Sequence, residues 1–323
     1  RDILYVDSFK EHVKAINENG LSLLCDKGDF NVKVTAVSPE ELHTVLNGPV
    51  DIAFIAVKSQ DTGAAVELIA PLLSESGYVV SLQNGINGYT IADIVGADKV
   101  ICSFVNWVSD FVSPGVIRLS SLGNFTIGEL RGGLTKRLEF LQEFLSPFCE
   151  VAISENILRE LWSKQVNICA MFTTGVTHLG ISGGFDADPF KETIAAVAVE
   201  AMQVPEKLGV ELISFEDFDP KLYKQGKYRK GLKLTADHYR SLRKDYTGLY
   251  RDLAIKKSRS EIDGTVGAVV SVGESLGLSL PLNKKLVEIV KEIEAGKRDI
   301  CTDNLYELKK AYKEFYPEGL FRI

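Results

Sequence analysis

The chain has 323 residues, 45% hydrophobic and 25% charged, with a formal net charge of −7 at neutral pH. That length accommodates two domains with real cores, and that balance excludes a disordered or fibrous chain. An acidic protein is not by default a nucleic-acid binder, so no such partner is expected. Five cysteines (Cys25, Cys102, Cys149, Cys169, Cys301) lack CxxC spacing, and His12, His43, His178 and His238 are dispersed without ligand spacing. Neither a disulfide framework nor a metal site is therefore expected. Reduced thiols fit a cytoplasmic compartment, and no apolar run approaches membrane-spanning length, so no membrane partner is expected.

The chain opens from Arg1 directly into ILYVD, which reads as a strand ending on the acidic Asp7, followed by the helix-like EHVKAINENGL. An acid at a strand end before a helix resembles the second strand of a dinucleotide-binding unit. The first strand and glycine-rich turn of such a unit lie about 20 residues upstream of the acid. A first strand, a glycine-rich turn and a helix are accordingly expected to be missing ahead of Arg1. Residues 31–39 alternate like a strand, and residues 50–58 (VDIAFIAVK) form a near-continuous apolar run, as expected for a central parallel strand buried on both faces. A helix is predicted over 62–74, with Ala65, Leu68, Ile69 and Leu72 as its apolar stripe. YVVSLQNGIN is a second buried strand that stops at Asn84-Gly85. Further strands are predicted in residues 99–107, GVIRLS and NFTIGEL, the last two paired antiparallel across their turn residues. A helix over 134–145 and the strand EVAIS complete this half.

Beyond Asn156 only helical periodicity remains, over 191–208, 232–242, 259–276, 284–295 and 304–315. The expected organisation is an α/β dinucleotide-binding domain over 1–155 and an all-α domain over 156–323 that carries substrate and catalysis.

Chemistry concentrates at a few polar residues. In open α/β sheets ligands sit beyond the carboxyl ends of strands, where Lys58 and Asn84 are expected. The bland alternatives are a solvated strand end and an ordinary turn. Residues 160–179 (ELWSKQVNICAMFTTGVTHL) read as a buried helix on which Lys164 and Asn167 are polar exceptions. Lys164 either faces a cleft or snorkels to the surface. Glu261 and Asp263 stand where a long helix is predicted to begin, and there, as at Asp252, an acid often only complements the helix dipole. Residues 221–251 hold ten Lys/Arg against two Asp, interleaved with tyrosines. In an acidic chain this reads as a solvated face that favours anionic substrate and cofactor, not as a nucleic-acid stripe.

The order AVK, SLQNG, ELWSK, RDL and SEIDGTVGAVV, with an acidic strand end near the start and a helical second half, resembles the ketopantoate reductase family (2-dehydropantoate 2-reductases). The resemblance spans nearly the whole chain. It implies a Rossmann-type domain followed by an all-α domain, and NAD(P)H-dependent reduction of a 2-oxo acid, ketopantoate to pantoate, with the site where the sheet edge meets the helices. Residue by residue, it implies that Lys164 is the proton donor and that Glu261 holds substrate or lysine in place. It puts Asn84 between nicotinamide and substrate, Lys58 near the cofactor, and Asn167 and Thr247 among the substrate contacts. An ammonium both stabilises the charge that builds on the carbonyl oxygen and delivers the proton.

The sequence also departs from the family pattern. Asparagines are expected four and eight residues after the catalytic lysine, where this chain has Ile168 and Phe172, with Asn167 three residues on. Thr247 matches a family serine only loosely, and the spacing from Asp252 to Glu261 is one residue longer than usual. The family more often uses NADPH, whereas Asp7 would accept from a ribose 2′-hydroxyl and repel a 2′-phosphate, which favours NADH, with Lys10 close by. The alternatives are reduction of a different 2-oxo acid and a non-catalytic dinucleotide-binding regulator. Helical second domains in related reductases often support dimers, so a homodimer is one expected assembly.

Overall fold

The computed structural model describes residues 3–25, 28–215, 218–242 and 244–321. Arg243, within the basic stretch, lies outside the described residues, as do Arg1 and Asp2 at the head of the first domain. The chain forms two compact units. One comprises Arg1–Ala56, Thr62–Gln83 and Gly88–Ile157; the other comprises Leu158–Ile323 together with the short segments Val57–Asp61 and Asn84–Asn87.

The first unit is α/β. Its strands are β1 (Leu4–Val6), β2 (Leu21–Cys25), β3 (Phe30–Val32), β4 (Thr35–Val37), β5 (Val50–Ile55), β6 (Leu73–Ser81), β7 (Val100–Val105), β8 (Val108–Ser113), β9 (Val116–Ser121), β10 (Phe125–Glu129) and β11 (Ala152–Ile153). Its helices are α1 (Lys10–Asn19), α2 (Leu42–Val45), α3 (Thr62–Ile69), α4 (Gly88–Val95) and α5 (Lys136–Leu145). Five strands form a sheet in the order β11-β10-β7-β6-β5, in which β5, β6 and β7 run parallel. Tyr78, Val79 and Val80 in β6 and Val100 to Phe104 in β7 are buried without alternation, as in parallel strands covered on both faces. Tyr78, Val80, Ile101, Phe125 and Ile127 pack with Leu138 and Leu141 of α5 in one apolar core. A separate parallel pair, β1 with β4, packs on α1 through Val13, Ile16 and Ala36.

Three expectations for this unit are corrected. The run 50–58 is not a central strand buried on both faces: β5 ends the sheet order, and Asp51 and Phe54 on it are exposed. GVIRLS and NFTIGEL do not pair: β9 lies between β2 and β8 in a four-stranded sheet, and β10 runs antiparallel to β7. The chain crosses between sheets at Gly123, where a Cβ would lie 2.3 Å from the Asn106 carbonyl oxygen, so only glycine permits the approach. The helix predicted over 62–74 ends at Ile69. Pro71 lacks an N–H and disfavours continuation of the α-helix; a 3₁₀ turn follows and β6 begins at Leu73. Thr62 and Val66 are its buried residues.

The second unit is helical: α6 (Leu158–Gly175), α7 (Gly180–Asp186), α8 (Lys191–Lys207), α9 (Pro220–Lys224), α10 (Tyr228–Ser241), α11 (Gly248–Tyr250), a π-helical turn (Arg251–Lys256), α12 (Val266–Ser275), α13 (Pro281–Glu294) and α14 (Asp303–Phe315). Trp162, Val166, Cys169 and Ala170 of α6 and Ile194 to Ala198 of α8 are wholly buried. Glu200, on the same apolar helix, is also wholly buried. Its carboxylate accepts from the Leu282 and Asn283 amides at 3.0 and 2.8 Å, the Asn283 side chain at 2.8 Å and the Tyr316 hydroxyl at 2.7 Å. A glutamate from one helix thus caps the first turn of α13 on another. Burial pushes this carboxyl up from its ordinary value, and the four donors offset part of that rise.

A further correction falls at Glu261. The long helix expected to start there begins only at Val266, and Glu261 lies in the turn before it. Among the described residues no helix is long and apolar enough to cross a membrane, and no group of three or more His, Cys, Asp or Glu is placed to hold a metal ion.

Candidate active site

Lys58 and Asn84 each stand three residues beyond the carboxyl end of a strand, β5 and β6 respectively, and those strands are parallel neighbours. Both residues belong to short segments that group with the helical unit. Asn87 ties these segments together: its side-chain amide donates to Ser59 Oγ at 3.0 Å and to the Asn84 carbonyl at 2.7 Å. Gly85 and Gly264 allow the rest of the junction. At Gly85 (φ 86°) a Cβ would lie 2.7 Å from the Gly264 carbonyl oxygen, and at Gly264 it would lie 2.1 Å from Ser59 Cβ. The turn after β6 and the turn before α12 therefore meet backbone to backbone.

The same junction touches α6. Gln165 Oε1 lies 3.8 Å from the Cβ position of Gly85, so the helix turn that carries Lys164 abuts the Asn84 turn. From Leu161 to Met171 every residue is buried except Lys164, which is half-buried. Asn167, three residues on, is buried.

Lys58 Nζ donates to Asp252 Oδ2 at 2.9 Å, and Lys256 Nζ lies 3.3 Å from Oδ1. The Asp252 side chain is only 8% exposed, so two cations compensate one nearly buried carboxylate. Asp252 sits in the π-helical turn, which closes on Lys257 in the left-handed region at φ 50°. Both features are uncommon and concentrate at functional sites.

Glu261 is half-buried, and its turn is held by its neighbours. Ser260 donates its amide and hydroxyl to Glu294 Oε1 at 2.8 and 2.6 Å. Asp263 accepts from Arg259 at 3.0 Å and from Lys291 at 2.6 Å. Burial pushes the Asp263 carboxyl up, but the hydrogen bonds and charges of Lys291 and Arg259 outweigh it and hold the group below the usual carboxylate range. Thr265 closes the turn by donating its hydroxyl to the Glu261 carbonyl at 2.7 Å.

Thr247 is not brought to this place. Its hydroxyl accepts from the Tyr250 amide at 3.1 Å, and it packs against Gly175, about 16 Å along α6 from Lys164 at 1.5 Å per residue. Asp7 belongs to the first unit, at the end of β1, where its Oδ1 accepts from the Phe9 amide at 2.8 Å. Sequence reasoning overlooked Ser59, Asn87, Gln165 and Gly264, and it gave Asp252 only a dipole role. The run NGIN was a usable signal for Asn87; nothing local marks Gly264.

Gly264→Ala should show how tightly the junction is packed. A methyl group on Ser59 forces the two backbones apart, at a cost of about 1–3 kcal/mol. A lowered melting midpoint with weakened substrate use is the expected result, and an unchanged midpoint would mean the segments are not locked together.

The family model described as "Ketopantoate reductase PanE/ApbA" matches residues 1–132, and that described as "Ketopantoate reductase PanE/ApbA C terminal" matches residues 156–294. The 2-dehydropantoate 2-reductase of Aquifex aeolicus is 30% identical over 276 residues, covering 83% of each chain. That of Pyrococcus abyssi is 28% identical over 288 residues, covering 88% of this chain and 87% of its own. Among solved structures, a PanE/ApbA family ketopantoate reductase from Ralstonia eutropha JMP134 superposes with a TM-score of 0.73 at 27% identity, covering 89% of each chain. D-Mandelate dehydrogenase, solved with NADH and anilino(oxo)acetate, shares the fold, with a TM-score of 0.74 at 19% identity over 92% of each chain.

Proposed function

Because the chain belongs to the ketopantoate reductase family, with a Rossmann-type domain followed by a helical one, we propose that it reduces a 2-oxo acid with NAD(P)H and that this acid is ketopantoate, converted to pantoate. The observation that carries this reading is the exposure of Lys164, alone in a buried stretch of helix, one residue from the side chain that abuts the Asn84 turn.

The bound nicotinamide cofactor supplies the hydride. Lys164 Nζ gives its proton to the carbonyl oxygen as negative charge builds there and is reprotonated from solvent, so that ketone becomes alcohol. Glu261, on a turn fixed by Glu294 and Lys291, holds the substrate or the lysine in place. Asn84 would contact both nicotinamide and substrate, and Asn167 would back the substrate on the helix face that Lys164 begins.

The residues present fit the cofactor. Asp7 spends one carboxylate oxygen on the Phe9 amide and keeps acceptor capacity for a ribose hydroxyl, which favours NADH. Lys58, oriented by Asp252, supplies a cation near the cofactor.

A second reading is favoured by Ile168 and Phe172, the apolar residues one and two helical turns beyond Lys164. An apolar wall there would prefer a 2-oxo acid with a less polar side chain. Oxidation of NADH and NADPH by the full-length protein against a panel of 2-oxo acids separates the two. The greatest kcat/KM on ketopantoate supports the first reading, greater turnover of apolar 2-oxo acids supports the second, and no oxidation of either cofactor contradicts both.

A further inference from the structure

Gln165 is only 1% exposed, and neither Oε1 nor Nε2 has a hydrogen-bond partner among the described residues. A buried amide left without partners is among the costlier features a core can hold, and an apolar side chain of equal length would fill the same space without that cost. The position is not a random part of the core. It follows Lys164 on α6, and its Oε1 faces Gly85 at the junction of the Asn84 and Gly264 turns. Adjacent residues on a helix point about 100° apart, so Gln165 addresses the turns and not the face that Lys164 opens. Gly85 and Gly264 carry no side chains of their own there, and the Gly264 carbonyl oxygen lies 2.7 Å from the Cβ position of Gly85.

Resting on the reductase reading, we infer that Gln165 is a positioning residue whose carboxamide pairs with the backbone of the Asn84–Asn87 turn in a second arrangement of that turn, the one that bound 2-oxo acid selects. The unpartnered amide disfavours the arrangement described here and is satisfied in the other. Ligand binding is thereby favoured, and Asn84 is set relative to Lys164 at the same moment. The amide acts through the turn and does not touch the reacting atoms.

Gln165→Met tests this, because methionine keeps length and helix propensity while removing both polar atoms. In the full-length protein without added ligand, the variant's melting midpoint is expected to rise by about 3 °C, since an unsatisfied buried group has been removed. In steady state, KM for the 2-oxo acid should rise about tenfold with kcat within about twofold of wild type. A merely structural role would move neither KM nor the ligand-induced melting shift. A lowered midpoint, or an unchanged KM in an enzyme whose wild type turns over, overturns the inference. If the wild type reduces no 2-oxo acid, the reductase reading fails by itself. Gln165 is then judged by the melting midpoint and by the shift that ketopantoate with NADPH produces, which should be smaller in the variant; an equal shift overturns the inference.

Discussion

Lys164→Ala is expected to lower kcat by about 10²- to 10⁴-fold, the usual contribution of a positioned proton donor, while leaving cofactor affinity near that of wild type. The fold should tolerate the change. Lys164 is the half-buried residue of its stretch, and alanine is the best helix former at a position whose packing comes from Trp162, Val166 and Cys169. Lys164→Arg discriminates further, because arginine retains the positive charge but does not release its proton at accessible pH. If charge alone mattered, arginine would restore most of the rate; a proton donor predicts that it restores little. Steady-state turnover with cofactor titration of both variants checks this, and unchanged turnover in Lys164→Ala would remove the residue from the chemistry.

The largest effect on stability is expected from Glu200→Ala. The carboxylate receives four hydrogen bonds in a site closed to solvent, two of them from first-turn amides of α13. Its removal leaves those donors unsatisfied and opens a cavity, at a cost of about 3–5 kcal/mol. On a helical unit of this size that corresponds to a fall of roughly 10 °C in melting midpoint. Glu200→Gln keeps the shape but turns one acceptor into a donor facing other donors, so about half the loss is expected. The consequence reaches the site, because α13 also carries Lys291 and Glu294, which hold the turn around Glu261. Glu200→Ala should therefore raise KM before the protein melts. A midpoint within a degree of wild type would show that the buried carboxylate contributes nothing to the fold.

Glu200 also shows what the sequence made legible and what it did not. A lone charge in an apolar helical run singles out Lys164, and the same pattern recurs at Glu200 in AVAVEAMQV. One stays half-buried and the other caps a distant helix, a difference set by tertiary packing that no local spacing encodes. The parallel strands β6 and β7 were readable because burial on both faces leaves an uninterrupted apolar run, whereas β5 is as apolar in sequence yet ends the sheet order with Phe54 exposed. The true start of α12 was not, because Gly264 is held in a turn by its contact with Ser59, more than two hundred residues away in sequence. Likewise the pairing of β9 with β8 and β2 depends on a crossing at Gly123 that turn residues alone could not distinguish from a hairpin. The local sequence of Asp252 suggests a helix-dipole role. Only the folded chain brings Lys58 to its carboxylate, 2.9 Å away.

The central claim is that this chain transfers hydride to ketopantoate with Lys164 supplying the proton. The most direct measurement is mass analysis of the product formed from ketopantoate and NADH or NADPH deuterated at the transferable C4 position. Hydride transfer predicts pantoate carrying one deuterium on the carbinol carbon, with Lys164→Ala forming the same labelled product far more slowly. Pantoate without the label, or no pantoate under conditions where the cofactor binds, would contradict it.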